Sequence, residues 1–134
     1  MATNTVERTT TRNTSDYRRT MSASTLIGDS VRNRNGDDLG KLKEIMLDIK
    51  SGRIAYGVLE SGSFLGMGGK LLAIPFEAFE VDEQNHQLLL NVDEQKLKNA
   101  EGFDKNDWPD TANEAWVQKT HQHYGYRPYW ERSS

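Results

Sequence analysis

The 134-residue sequence contains no cysteine. It can therefore build no disulfide framework, no thiolate metal site and no thiol nucleophile, and the composition fits a reducing compartment. No apolar run approaches the roughly 18–20 residues needed to span a bilayer, and the first residues lack the apolar core of a secretory signal. A cytoplasmic protein is the expectation that goes with these absences. A basic folded part is missing as well. The formal net charge is −3, divided as +2 over residues 1–24, −3 over 25–100 and −2 over 101–134. Nucleic-acid binders usually carry a basic footprint on their folded part, so nucleic acid is not an expected partner. The length leaves room for one compact domain with appended segments, but not for a second full domain. There is also no G-x-S-x-G nucleophile elbow.

What is present changes character along the chain. Residues 1–24, "MATNTVERTTTRNTSDYRRTMSAS", are rich in Thr, Ser, Asn and Arg with scattered apolar residues. Such a segment buries too little surface to offset the entropy of ordering and reads as a disordered N-terminal tail. A transit peptide is a rival reading, against which Glu7 and Asp16 count. A basic arm for an acidic partner is another.

From Leu26 onward short apolar runs alternate with turn signals. Asn35-Gly36 is a hairpin signal. In "KEIMLDIK" the residues Ile45, Leu47 and Ile49 share one face, with Glu44, Asp48 and Lys50 on the other. After the Ser51–Arg53 turn, Ile54, Tyr56 and Val58 share a face, opposite small Ala55 and Gly57. Further strands are read around Leu72–Phe76, Phe79–Val81 and Leu88–Val92, with Asp82–Gln87 as a polar turn. Five or six short strands at this spacing argue an antiparallel barrel or sandwich. Closure into a barrel is favoured because it removes exposed edges. Pro75 marks an edge or a bend between strands. Asp93 is a candidate N-cap for a short helix ended by Gly102. Thr111 and Glu114 form a capping box that starts a second helix. The final "GYRPYWE" is irregular.

The loop "SGSFLGMGGK" (Ser61–Lys70) resembles a phosphate cradle only superficially. A P-loop needs glycine five residues before its Gly-Lys and Ser or Thr after the lysine. Those positions hold Phe64 and Leu71, and a strand follows where a helix is required. The loop therefore reads as a connection between strands. Phe64, Leu65 and Met67 either fold back to plug the barrel end or form an apolar tip that docks on a partner or a membrane surface.

The segments "LIGDSV", "NGDDLGKLKEIMLDIKSGRIAYGVLESG" and "KLLAIPFEAF" together resemble the PRC-barrel family. The resemblance runs over residues 25–93. It rests on Gly28 before Val31, the Gly36…Leu39-Gly40-Lys41 turn, Asp48 at a strand end, Ser51-Gly52, and Ile74-Pro75. It implies a mainly β protein, a small antiparallel barrel of about six strands; the short helix and partly helical aromatic extension over 94–134 are read from the residues themselves, since the resemblance says little about that part. It implies no catalytic residues and no cofactor. Members of this kind act as adaptors or as stand-alone, stress-associated proteins. The resemblance also leaves open an accessory of a membrane or photosynthetic electron-transfer assembly, and an RNA or ribosome-assembly adaptor.

Candidate chemistry is sparse. His121 and His123 form H-x-H, but on a helix they point about 200° apart. They read as a solvated pair rather than a metal site. Glu77, Glu80, Asp82 and Glu83 form a carboxylate cluster, read as a solvated face because acid–base work needs a buried carboxyl. Asp48 is expected to hydrogen-bond the Ser51-Gly52 turn. Seven of the twelve aromatic residues fall in the last 34 residues. Either this tail wraps the barrel and enlarges a small core, or it forms an interface. Stacking on single-stranded nucleic acid is a third reading, which the local charge opposes. Met46, Leu59, Leu71 and Leu89 occupy outward positions, so the tail or a second copy is expected to cover them, and a homodimer is a reasonable expectation. The sequence thus points to a non-enzymatic, self-associating protein-binding module with an unidentified protein partner. Its candidate interface residues are Phe64, Leu65, Met67, Trp116, Tyr124, Tyr126, Tyr129 and Trp130.

Overall fold

The computed structural model describes residues 20–66, 69–104, 106, 108 and 114–131. A helical turn, α1 (Ala23–Leu26), buries Leu26 and leads into six strands. These are β1 (Ser30–Arg32), β2 (Asp38–Asp48), β3 (Arg53–Ser61), β4 (Leu71–Ile74), β5 (Phe79–Asp82) and β6 (Gln87–Leu90). Two helices follow, α2 (Glu94–Lys98) and α3 (Glu114–His123), and then a single 3-10 turn at Tyr129–Glu131.

The six strands form one sheet in the order β4-β3-β2-β1-β6-β5. The expectation of a wholly antiparallel closed barrel is corrected in two ways. First, β1 pairs with β6 in parallel, while every other neighbouring pair is antiparallel. The cause is the corner after β4. Pro75 ends the ladder there, and a 3-10 turn at Phe76–Ala78 carries the chain into β5 without reversing it. One reversal is skipped, so β6 returns alongside β1 in the same sense. Second, the sheet does not close, because its edges are β4 and β5. The same corner joins them directly, in place of a hydrogen-bonded ladder. The outer edge of β4 is instead met by Phe103, which exchanges two backbone hydrogen bonds of 2.9 Å with Leu71.

Apolar residues collect in two clusters. The interior holds Val31, Leu39, Leu42, Leu59, Leu72, Ile74, Phe79, Leu88 and Leu90, and Leu97 of α2 closes one end. The second cluster lies on the outer face of β3 and β4, where Ala55, Tyr56, Val58, Leu71 and Ala73 meet Val117 of α3 and Tyr129. Two β-bulges set this division. The register shifts between Leu42 and Glu44, and again where Ala55 is inserted opposite the Met46–Leu47 step. The second shift puts Ala55 in the same cluster as Tyr56 and Val58, against the alternation read from the sequence. Gly57 then faces inward, where a side chain would meet Phe79, Leu42 and Phe76.

The β2–β3 hairpin is long for its surroundings. At about 3.3 Å per residue β2 spans roughly 36 Å, against about 13 Å for a four-residue strand. The hairpin therefore overhangs the body of the sheet. Ile45 still packs on the interior, but further along the same face Leu47 is 58% exposed and Ile49 86% exposed.

Candidate functional site

The overhanging hairpin tip carries a connected set of polar contacts. Asp48 ends β2, and its Oδ1 accepts hydrogen bonds from the amides of Lys50 (3.0 Å) and Ser51 (3.2 Å). Its backbone carbonyl accepts from the Gly52 amide at 2.8 Å. The expected Asx-type turn is present. The other carboxylate oxygen accepts from the Tyr129 hydroxyl at 2.5 Å, and Arg53 Nη1 donates to the Tyr129 carbonyl at 2.7 Å. One tail residue is thus held at both ends by the two strands of the hairpin.

The electrostatics follow from this clasp. The Tyr129 hydroxyl, followed by the Ser51 amide, holds the Asp48 carboxyl below its ordinary value of 3.8. Burial, reinforced by the neighbouring carboxylate, pushes the Tyr129 phenol up to about 12. At neutral pH the carboxylate is charged and the phenol keeps its proton, the pairing a hydrogen bond requires. Beside the clasp lies a cleft of about 550 Å³ whose walls include Met46, Ala55, Tyr56, Val117 and Trp130. Leu47 and Ile49 stand at its rim. Lys50 and Glu114 line it as well, and its largely apolar walls with an exposed aliphatic rim suit the reception of apolar side chains from another protein.

The residues singled out from the sequence divide among several places. Leu65 is buried in the interior cluster, whereas Phe64 is 40% exposed and Met67 lies outside the described residues. Trp116 stacks edge-on against Tyr56 with ring centroids 5.6 Å apart, and Trp130 packs at 5.1 Å on Tyr129, both over the outer cluster. Tyr124 is buried in the interior cluster and Tyr126 packs against it. Burial alone drives the Tyr124 phenol well above its usual range. Among the described residues of the eight, only Tyr129 and Trp130 line the cleft. Thr111 of the expected capping box lies outside the described residues, while α3 begins at Glu114. Asp93 caps α2, accepting from the Gln95 amide at 3.0 Å, and the helix ends at Lys98 rather than at Gly102.

His121 is a correction. It is not solvated but fully buried, with Nδ1 3.0 Å from the Val117 carbonyl, so Nδ1 carries the proton and donates it. His123 is exposed on another side and meets the Lys96 carbonyl at 2.9 Å. Among the described residues no group of three or more His, Asp or Glu is placed to hold a metal. The carboxylates Glu77, Glu80 and Glu83 are exposed. Asp82 is held below its usual value by hydrogen bonds from Asn85 and then Gln87, the reverse of a buried acid.

Leu47 and Ile49 are what sequence reasoning missed. Alternation placed Leu47 on the Ile45 face, but Ile49 lies in the turn, and alternation carries no sign that either is exposed. The available signal was length, since "KEIMLDIK" outruns every other strand segment except its own hairpin partner.

Among the described residues no helix is long and apolar enough to cross a membrane. No curated protein matches the chain. Residues 18–97 match the PRC-barrel domain, over half the sequence and across all six strands. With the six-stranded mixed sheet and the Ile74-Pro75 corner in place, and with Leu39-Gly40 inside β2 rather than in the expected turn, the chain belongs to the PRC-barrel domain family.

Proposed function

We propose that this protein is a non-enzymatic protein-binding module of the adaptor type, whose docking surface is the overhanging β2–β3 hairpin with its adjoining cleft. The observation that carries this reading is the exposure of Leu47 and Ile49, at 58% and 86%, beside an apolar cleft rather than scattered singly. Contiguous exposed apolar surface rimmed by polar groups is the usual mark of an interaction site. The cleft wall adds Tyr and Trp, the residue types that dominate interface energetics. The polar groups of the tip fit the same role. Asp48, Arg53 and Tyr129 spend their hydrogen bonds fixing the hairpin against the tail, which presents the rim as a rigid edge and lowers the ordering cost of binding.

A cross-linked pull-down comparing the wild-type chain with Ile49→Asp tests the reading. The substitution sits at an exposed position and leaves the fold intact, as circular dichroism would confirm. A partner retained by the wild type and lost by the variant is the expected result. If every captured protein is retained equally by both, the hairpin tip is not the docking surface.

A further inference from the structure

Among the described residues the outer edge of β2 at the hairpin tip has no partner strand. Among the described residues β1 covers β2 only from Asp38 to Lys41. Leu42 then exchanges backbone hydrogen bonds with Gly28 and Asp29, at 2.7 and 3.0 Å. From Lys43 to Asp48 the strand has β3 on one side and no strand on the other. An edge of this kind is a template for another strand. The question is which strand fits it.

We propose that the occupant is the same edge of a second copy, paired antiparallel about a two-fold axis at Leu47; this rests on the docking role proposed for the hairpin and names its partner. The sequence of the edge is self-complementary in that register. With Leu47 opposite Leu47 of the second copy, Ile45 falls opposite Ile49 and Glu44 opposite Lys50. Met46 falls opposite Asp48, whose carboxylate is already held by Tyr129 and the turn amides. Exposed Leu47 thus meets its own copy and exposed Ile49 meets part-buried Ile45 on one face, while opposite charges meet on the other. Both kinds of cross-strand pair are favourable, and like charges directly opposite are not.

The neighbouring registers that keep the same faces together are excluded by charge. A slip of the axis to Met46 sets Glu44 opposite Asp48. A slip to Asp48 sets two Asp48 carboxylates opposite one another. Of these three registers only the one centred on Leu47 avoids like charges, as a specified interface requires. The pairing is isologous, so it closes at a dimer instead of growing into a filament. It joins the two hairpins into one continuous four-stranded ribbon and removes both free edges. The backbone ladder is short because Ile49 and Lys50 lie in the turn. Side-chain pairs complete it.

The absence of cysteine makes the test clean. Leu47→Cys introduces a single thiol that the proposed axis places beside its own copy, at a separation a disulfide can bridge with little movement. Val81→Cys, at an exposed position on β5, serves as the control. Under mild oxidation Leu47→Cys is expected to give a covalent dimer at least about tenfold faster than the control, because the pairing raises the effective thiol concentration. Equal rates overturn the proposal. Light scattering on charge variants supplies a second reading. Glu44→Lys and Lys50→Glu each weaken the dimer, and the double exchange restores it. Failure of the double exchange to restore association also overturns the proposal, as does a monomeric wild-type chain. In that last case a partner lost by Ile49→Asp would still leave the docking surface standing, so the two ideas fail separately.

Discussion

At the scale of single residues, the Leu39-Gly40-Lys41 motif, expected as a turn but lying inside β2, shows most directly why a short pattern is tied to this fold. Gly40 has φ near +139°, and a Cβ there would lie 2.0 Å from the carbonyl oxygen of Glu60. Neither backbone can retreat, because Gly40 and Ser61 are paired across β2 and β3. Gly40→Ala combines a backbone conformation closed to L side chains with a clash against main chain. The expected loss is about 3 kcal/mol or more in chemical denaturation. Tyr129 is the complementary case, a residue whose part no local pattern displays. Its hydroxyl reaches Asp48, 81 positions away. Tyr129→Phe and Asp48→Asn should each lower the melting temperature. The double variant should lose clearly less than the sum, since both remove one shared bond. Strict additivity in that cycle would mean that the two residues stabilise the fold independently.

At the scale of elements, the decisive piece is the C-terminal extension. It covers the outer face of β3 and β4, where Tyr56, Val58 and Leu71 are almost completely buried, and Phe103 pairs with the β4 edge. Removing residues 102–134 re-exposes these side chains at roughly 1.5–3 kcal/mol each. The sum is comparable with the whole stability of a small domain. The truncated chain is therefore expected to lose cooperative melting and to bind a hydrophobic dye, whereas an unchanged melting curve would show that the extension adds nothing to the core. How far such elements could be read beforehand depends on the physics behind each. Strand existence was legible because apolar and polar residues alternate. The Pro75 corner was legible because proline cannot donate to a ladder. The bulge at Ala55 was not, since an inserted small residue leaves no compositional trace. Nor was the overhang, because periodicity tells which side chains share a face and not what lies opposite them. The aromatic tail allowed two readings, cover or interface, until α3 was seen lying on the sheet. One signal went unused. Val117, His121 and Tyr124 stand at helical spacing i, i+4 and i+7, which marks one buried face and explains why His121 is not solvated.

At the scale of the whole molecule, that buried histidine sets the acid limit of stability. His121 Nδ1 donates to the Val117 carbonyl, and Nε2 is buried with no hydrogen-bond partner among the described residues. A second proton on the ring would place a charge where nothing accepts it. Burial accordingly lowers the His121 pKa from 6.5, and the Val117 carbonyl only partly opposes the shift. The unfolded chain takes up this proton near its ordinary value, and the folded chain resists it. Stability is therefore fully present above about pH 6.5 and falls as pH drops below it, by at most about 1.4 kcal/mol per pH unit for one proton. Asp48 works in a separate window. Its depressed pKa adds a further loss only below about 3.8, as its bond to Tyr129 fails. On the alkaline side the sign reverses. The unfolded Tyr129 ionises near 10 while the folded phenol holds its proton to about 12, so its contribution is intact below 10 and lost across that interval. Urea denaturation followed by tryptophan fluorescence, from pH 8 down to 4.5, isolates the histidine. The wild-type midpoint should fall steadily below about pH 6.5. In His121→Leu it should stay nearly flat over the same range, and a slope that survives the substitution would assign the acid sensitivity to some other group.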